Sequence, residues 1–200
     1  MIPGLGRALI LLSLLLGTVG AMVAFATARR PSPASWAWTK RFAFAFSGAL
    51  LAANLLMVYA LLAHDFSVSY VAQVGSRALP IWVSVVSLWS SLEGSILFWG
   101  AILGVYVSVA TWANRDRHPE YMPWAIGVWL ACGAFFSFLL AGPAQPFTTV
   151  AFPPADGPGP NPLLQNHILM AIHPPFLYLG FVGMTIPFGL ASAALLAGRL

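Results

Sequence analysis

The chain has 200 residues, of which 60% are hydrophobic and only 7% charged. A soluble domain carries about a quarter charged residues, so this composition excludes an ordinary water-facing globule and points to an integral membrane protein. The net charge of +4 comes from scattered basic residues, which excludes a nucleic-acid surface.

Five apolar runs follow one another along the chain, at 5–28, 42–63, 88–112, 124–141 and 174–198. Each is long enough to cross a hydrocarbon layer of about 30 Å as a helix. The first carries Arg7 and ends in "AFATA", as a secretory signal does. Its length and the basic "RRPSPASWAWTKR" that follows instead predict a retained helix. "RPSPAS" reads as a short turn. Cys132 stands alone in "VWLACGAFF", and no CxxC or CxxCH occurs; this excludes an internal disulfide and a c-type haem attached to the chain itself. The predicted fold is all-α: a polytopic membrane bundle of about five transmembrane helices, forming one domain over residues 1–200.

The basic residues give an orientation. Arg29, Arg30, Lys40 and Arg41 flank the first connection, Arg115 and Arg117 lie in the third, and Arg199 is near the last residue. With alternating helices all seven share one side, leaving Arg7 and Arg77 on the other. The positive-inside tendency then makes the N-terminus extracytoplasmic and the C-terminus cytoplasmic. The external loops are about 64–87 and 142–173. The second of these holds seven of the sixteen prolines before His173, so it cannot be one continuous helix. Its apolar end, "LLQNHILMAI", is expected to dock on the outer membrane surface.

In "ILMAIHPPFLYLG", Pro174 and Pro175 read as the first turn of helix five, where a missing N–H has no partner to lose. That places His173 near the N-cap, at the outer mouth of the bundle. The helix N-terminus and the apolar neighbours both disfavour an imidazolium there. A fixed imidazole beside an apolar pocket suits a haem iron. The residues alone equally allow a general base, or an interfacial histidine bonded to a carbonyl.

"NPLLQNHILMAIHPPFLYLGFVG" resembles the "NPLLQ…HPPxLYxGYVG" segment of the CcmF family, the membrane haem lyases of cytochrome c maturation. "DFSVSYVAQVGSRALPIWVSVVSLWSSLEGSILFW" is similar to a second family segment, and "MIPGLGRALILLSLLL" resembles the family's start. The resemblance implies cytochrome c maturation in the cytoplasmic (inner) membrane, with haem b held on the extracytoplasmic face and His173 as an axial ligand. It implies thioether attachment of haem to CxxCH cysteines of apocytochrome c. The implied partners are a CcmE-type haem chaperone, a CcmH-type thiol reductase and the apocytochrome, with no nucleic acid. The family's tryptophan-rich "WGxxWxWD" segment is not found here, so the chain reads as the N-terminal portion of a longer lyase and is expected to be inactive alone.

Glu93 in "WSSLEGSILFWG" is a carboxylate in an apolar setting, which points to function. It could pair with Arg77, hydrogen-bond a haem propionate, or fix a loop. Arg77 could also meet a propionate. Tyr178, with Trp82, Trp89, Trp99 and Phe176, could wall a haem edge or simply mark the membrane interface. His64, Asp65, His118 and His167 read as surface residues, and Pro187 as a kink in helix five. A competing function is an ion-coupled transporter-like subunit with Glu93 as a proton relay, although Glu93 is nearly alone among the apolar runs.

Overall fold

The computed structural model describes residues 1–116, 118, 120–162 and 168–198. Five helical spans are long and apolar enough to cross a membrane. Helix α1 covers Ile2–Arg29 and α2 covers Pro33–Leu62. Two short helices follow, α3 at Ser69–Val74 and α4 at Ile81–Val86, and then a 3₁₀ turn at Ser87–Trp89. The third and fourth spans are α5, Leu92–Ala113, and α6, Met122–Ala141. The last span has two pieces, α7 at Leu169–Gly183 and α8 at Thr185–Leu196. The all-helical membrane bundle expected from the sequence is therefore the fold.

Helix α2 starts nine residues before its apolar run. The cause is local: the Ser32 hydroxyl accepts the Ser35 N–H at 3.1 Å, and the Ser35 hydroxyl accepts the Ser32 N–H at 3.1 Å. This reciprocal cap, with Pro33 at the first helical position, nucleates the helix outside the hydrocarbon. At 30 residues, α2 is about 45 Å long, longer than the hydrocarbon it crosses.

Helices α1, α2, α5 and α6 form the core. Phe46, Leu50, Met57, Leu97, Leu103 and Trp129 are fully buried in it. Small residues bring the backbones together, as lipid-embedded packing requires. A Cβ at Gly133 would overlap the Phe46 ring. The Ser13 hydroxyl donates to the buried Ser137 hydroxyl at 2.9 Å between α1 and α6, and Thr39 donates to Thr27 at 3.1 Å between α2 and α1.

Contacts between connections show that the spans alternate. At one end the Trp36 indole N–H donates to the Arg115 carbonyl at 3.3 Å, tying the first turn of α2 to the third connection. At the other end the two predicted external loops join along their backbones. Ser69 N–H donates to Thr148 O at 2.8 Å, Val150 N–H to Ser67 O at 2.9 Å, and Gly159 N–H to Gly75 O at 3.0 Å. Phe147 from the proline-rich segment is buried against Gly6 near the start of α1. A Cβ at Gly157 would overlap the Gly75 carbonyl oxygen, so glycine is required where these two strands of chain cross.

One expectation about the last span is corrected. Helix α7 begins at Leu169, so His173 lies within it and not at its N-cap, and Pro174 and Pro175 are internal. An internal proline withholds a donor from the carbonyl four residues back and pushes that carbonyl aside. Pro174 does this to Met170, and the Trp89 indole N–H takes the vacant place, donating to Met170 O at 3.4 Å. Regular helix is interrupted at Met184, between α7 and α8 and three residues before Pro187, whose missing N–H cannot serve the carbonyl four residues back.

The last span is the least buried of the five. Four aromatic donors fasten it through backbone oxygens. Besides Trp89, the Tyr106 hydroxyl donates to Leu179 O at 3.0 Å, the Trp129 indole to Ile186 O at 3.2 Å, and the Tyr121 hydroxyl to Leu190 O. A Cβ at Gly189 would overlap the Trp129 ring, so the glycine admits the indole.

Candidate functional site

His173 is exposed on α7. Phe176, Leu177, Gly180, Phe181 and Met184 follow it at helical spacing on the same face and line a shallow groove of about 290 Å³. Phe176, Phe181 and Met184 are each more than 60% exposed. The arrangement is one imidazole at the head of an apolar, aromatic-edged strip that nothing in the described chain covers.

Tyr178 is about 140° around the helix from His173. It faces α5, where its hydroxyl donates to the Ser95 hydroxyl at 3.3 Å. Its ring lies 5.2 Å from that of Trp99 and 6.1 Å from that of Phe98, and Phe98 stacks on Trp89 at 5.3 Å. These aromatics form the wall behind α7, opposite the His173 face. The Trp99 indole N–H is buried there without a partner among the described residues.

Glu93 occupies the first turn of α5, where the helix dipole favours a carboxylate. The Ser91 hydroxyl donates to it at 3.3 Å. Arg77 is turned elsewhere: its side-chain Nε donates to Ala155 O at 3.1 Å, its backbone N–H to Asp156 at 2.8 Å, and its guanidinium lies 5.4 Å from the Phe66 ring. The pairing of Glu93 with Arg77 is thus not formed; Arg77 braces the two loops instead. Among the described residues, none of His173, Glu93, Arg77 and Tyr178 hydrogen-bonds to another. His167 lies outside the described residues. His64 follows α2 with a left-handed backbone at φ 52°. His118 lies 3.9 Å from Glu120 at the opposite end.

Two residues that sequence reasoning passed over organise this region. Tyr70, almost fully buried, shares its one hydroxyl proton between the carbonyls of Ser87 (2.8 Å) and Leu88 (2.9 Å) and accepts the Ser91 N–H at 3.3 Å. Burial holds the phenol far above its ordinary range, so it remains a donor. A Cβ at Gly94 would overlap the Tyr70 hydroxyl and the Leu88 carbonyl; the glycine of "EGS" is there to let them meet. Asp156 accepts the backbone N–H groups of Arg77 and Gly157, each at 2.8 Å, and the Ser76 hydroxyl at 3.3 Å. The Arg77 N–H chiefly holds its carboxyl below the usual range.

The bundle, with its five apolar spans, defines a multi-pass helical membrane protein. A family model described as cytochrome C assembly protein matches residues 89–200, and the chain belongs to that family. It is 34% identical to the cytochrome c-type biogenesis protein CcmF of Pseudomonas aeruginosa over 100% of this chain and 30% of that protein. It is 29% identical to CcmF of Escherichia coli, again over 100% of this chain and 31% of the relative. A solved structure of the cytochrome c haem lyase CcmF superposes with a TM-score of 0.85 at 33% identity, over 100% of this chain and 31% of that one. The chain therefore spans about 30% of the length of these relatives and is similar to their N-terminal part.

Proposed function

We propose that this chain is part of a haem lyase of cytochrome c maturation in the bacterial inner membrane, and that His173 offers its imidazole to haem iron on the extracytoplasmic side. What supports this reading is the outward face of α7: an exposed imidazole one turn before the residues that line an apolar groove, a donor and a surface of the kind one face of a haem needs. The groove is shallow, which matches a site whose other half is supplied from outside these residues. The family and the CcmF relatives favour this reading over an ion-coupled transporter using Glu93.

In this reading haem is the substrate, and two cysteine thiols of an apocytochrome CxxCH add across its two vinyl groups. This chain's work is placement. His173 orients the iron, the α7 strip excludes water from one porphyrin face, and the wall of Trp89, Phe98, Trp99 and Tyr178 keeps α7 in position. Glu93 is the proposed polar neighbour of the site; Arg77, engaged with the Ala155 carbonyl and the Phe66 ring, would meet a propionate only by turning its guanidinium away from the loop junction. A CcmE-type chaperone would deliver haem, and a CcmH-type thiol reductase would present the apocytochrome. The test is the haem absorption spectrum of the chain assembled with the rest of the lyase. His173→Ala should abolish or shift the Soret band, and added imidazole should restore it. An unchanged spectrum in His173→Ala overturns the assignment.

A further inference from the structure

At the end carrying Arg29, Arg30, Lys40, Arg41 and Arg115, cations lie on indoles. The Arg29 guanidinium is 5.5 Å from the Trp124 ring, Lys40 5.1 Å from Trp36, Arg41 4.9 Å from Trp38, and Arg115 4.8 Å from Trp112. Three of these cations carry no carboxylate partner among the described residues; Arg115 pairs with the exposed Asp116 at 3.2 Å. Trp and Arg side by side mark the depth of the headgroups.

One of these pairs stands at the mouth of a groove. Trp38, Arg41, Phe42 and Ala45, spaced on one face of α2, and Leu16 of α1 enclose about 120 Å³. Arg41 is exposed, Trp38 is 53% exposed, and the Trp38 and Phe42 rings lie 6.3 Å apart. Farther along the same face Gly48 is also exposed, and a Cβ there would meet nothing within 4 Å, so no side chain of the described chain blocks that face. Arg41 lies eight residues into α2, about 12 Å from its start. The uncharged stretch from Phe42 to Ala63 then covers about 33 Å, one hydrocarbon thickness. Arg41 is thereby set at the polar boundary, and the groove runs from it into the acyl region.

We infer that this groove between α1 and α2 is a seat for one anionic phospholipid, with an acyl chain along Leu16, Phe42 and Ala45 and the headgroup phosphate on Arg41, backed by Lys40. The charge decides the occupant. A guanidinium matches a phosphate in geometry and sign, and each basic residue near an anionic surface adds appreciable attraction. A neutral lipid would fill the groove without answering the cations.

Native mass spectrometry of the purified full chain tests this, with phosphatidylglycerol or phosphatidylcholine supplied in mixed micelles. The wild-type chain should retain one phosphatidylglycerol in preference to phosphatidylcholine. Arg41→Gln should weaken that retention about fivefold, and Arg41→Lys should largely keep it. Ala45→Phe, which fills the groove and leaves the charge alone, should remove both lipids; Leu16→Phe narrows it from the other wall, in case Ala45→Phe disturbs the helix. Arg7→Gln, at the opposite end of α1, should change nothing. Equal retention of the two lipids by the wild-type chain overturns the inference. So does wild-type retention of phosphatidylglycerol by both Arg41→Gln and the groove-filling variants, which would mean that the lipid sits elsewhere and that protein packs this face.

Discussion

The substitution of an indole N–H for the backbone donor that Pro174 lacks can be isolated by a double-mutant cycle. In the native chain the Met170 carbonyl has Trp89 at 3.4 Å and no backbone donor four residues on. Trp89→Phe keeps an aromatic ring to stack on Phe98 and removes the N–H with the rest of the five-membered ring; that loss of packing is common to both backgrounds and cancels in the cycle. Loss of the N–H should cost about 1–2 kcal/mol, made up of one hydrogen bond of ordinary net value and part of the penalty for an unsatisfied carbonyl. Pro174→Ala restores the backbone N–H. In that background the carbonyl is satisfied without the indole, and Trp89→Phe should cost about 0.5–1 kcal/mol less. The length of the bond puts the coupling in the lower half of the range of about 0.5–1.5 kcal/mol. The assay is unfolding of the four proteins by SDS in mixed micelles, followed by circular dichroism. Additive effects within about 0.3 kcal/mol would refute the argument, because two groups serving one carbonyl cannot be independent.

Gly94→Ala should destabilise by about 3 kcal/mol, the upper part of the overpacking range, since a backbone oxygen cannot move aside as a side chain can. Tyr70→Phe should fail to rescue it in the same unfolding assay, because the Leu88 carbonyl still blocks the Cβ. Ser137→Ala should cost only about 0.6 kcal/mol, the usual value for a hydrogen bond between membrane helices; a loss several times larger would contradict that account. Asp156 has a carboxyl pKa lowered from 3.8, so its support of the loop junction is fully present above pH 3.8 and fades as pH falls through the lowered value. Amide exchange at Arg77 should therefore be slow and pH-flat after correction for intrinsic rates down to about pH 4, then accelerate. Asp156→Asn should exchange faster at neutral pH.

Hydropathy located every span because lipid imposes one rule on all of them: a long apolar stretch whose backbone bonds close internally. Boundaries were less legible where a local device overrode hydropathy, as the Ser32–Ser35 cap did for α2. The ordinary preference of proline puts Pro174 and Pro175 at a helix start, and nothing in the sequence pairs Trp89, 81 residues away from Met170, with the carbonyl that the proline leaves open. The joining of residues 67–69 to 148–150 could not be read, since it is made by backbone groups far apart in the chain that carry no residue signature. For the same reason charge alone leaves Arg77 free to pair with Glu93 or a propionate, whereas its partners are the Ala155 carbonyl and the Phe66 ring. His173 stood out as a residue, and only the coordinates gave it a helix face and a groove.

Because the final helix pair is hung from Trp89, Tyr106, Trp129 and Tyr121 by its main-chain oxygens, its mounting does not depend on which side chains it carries outward. Residues such as Phe176, Phe181 and Met184 can therefore change without loosening the hooks that suspend it. A mutational scan along that outward face would report on whatever docks there, with little contamination from the integrity of the bundle behind.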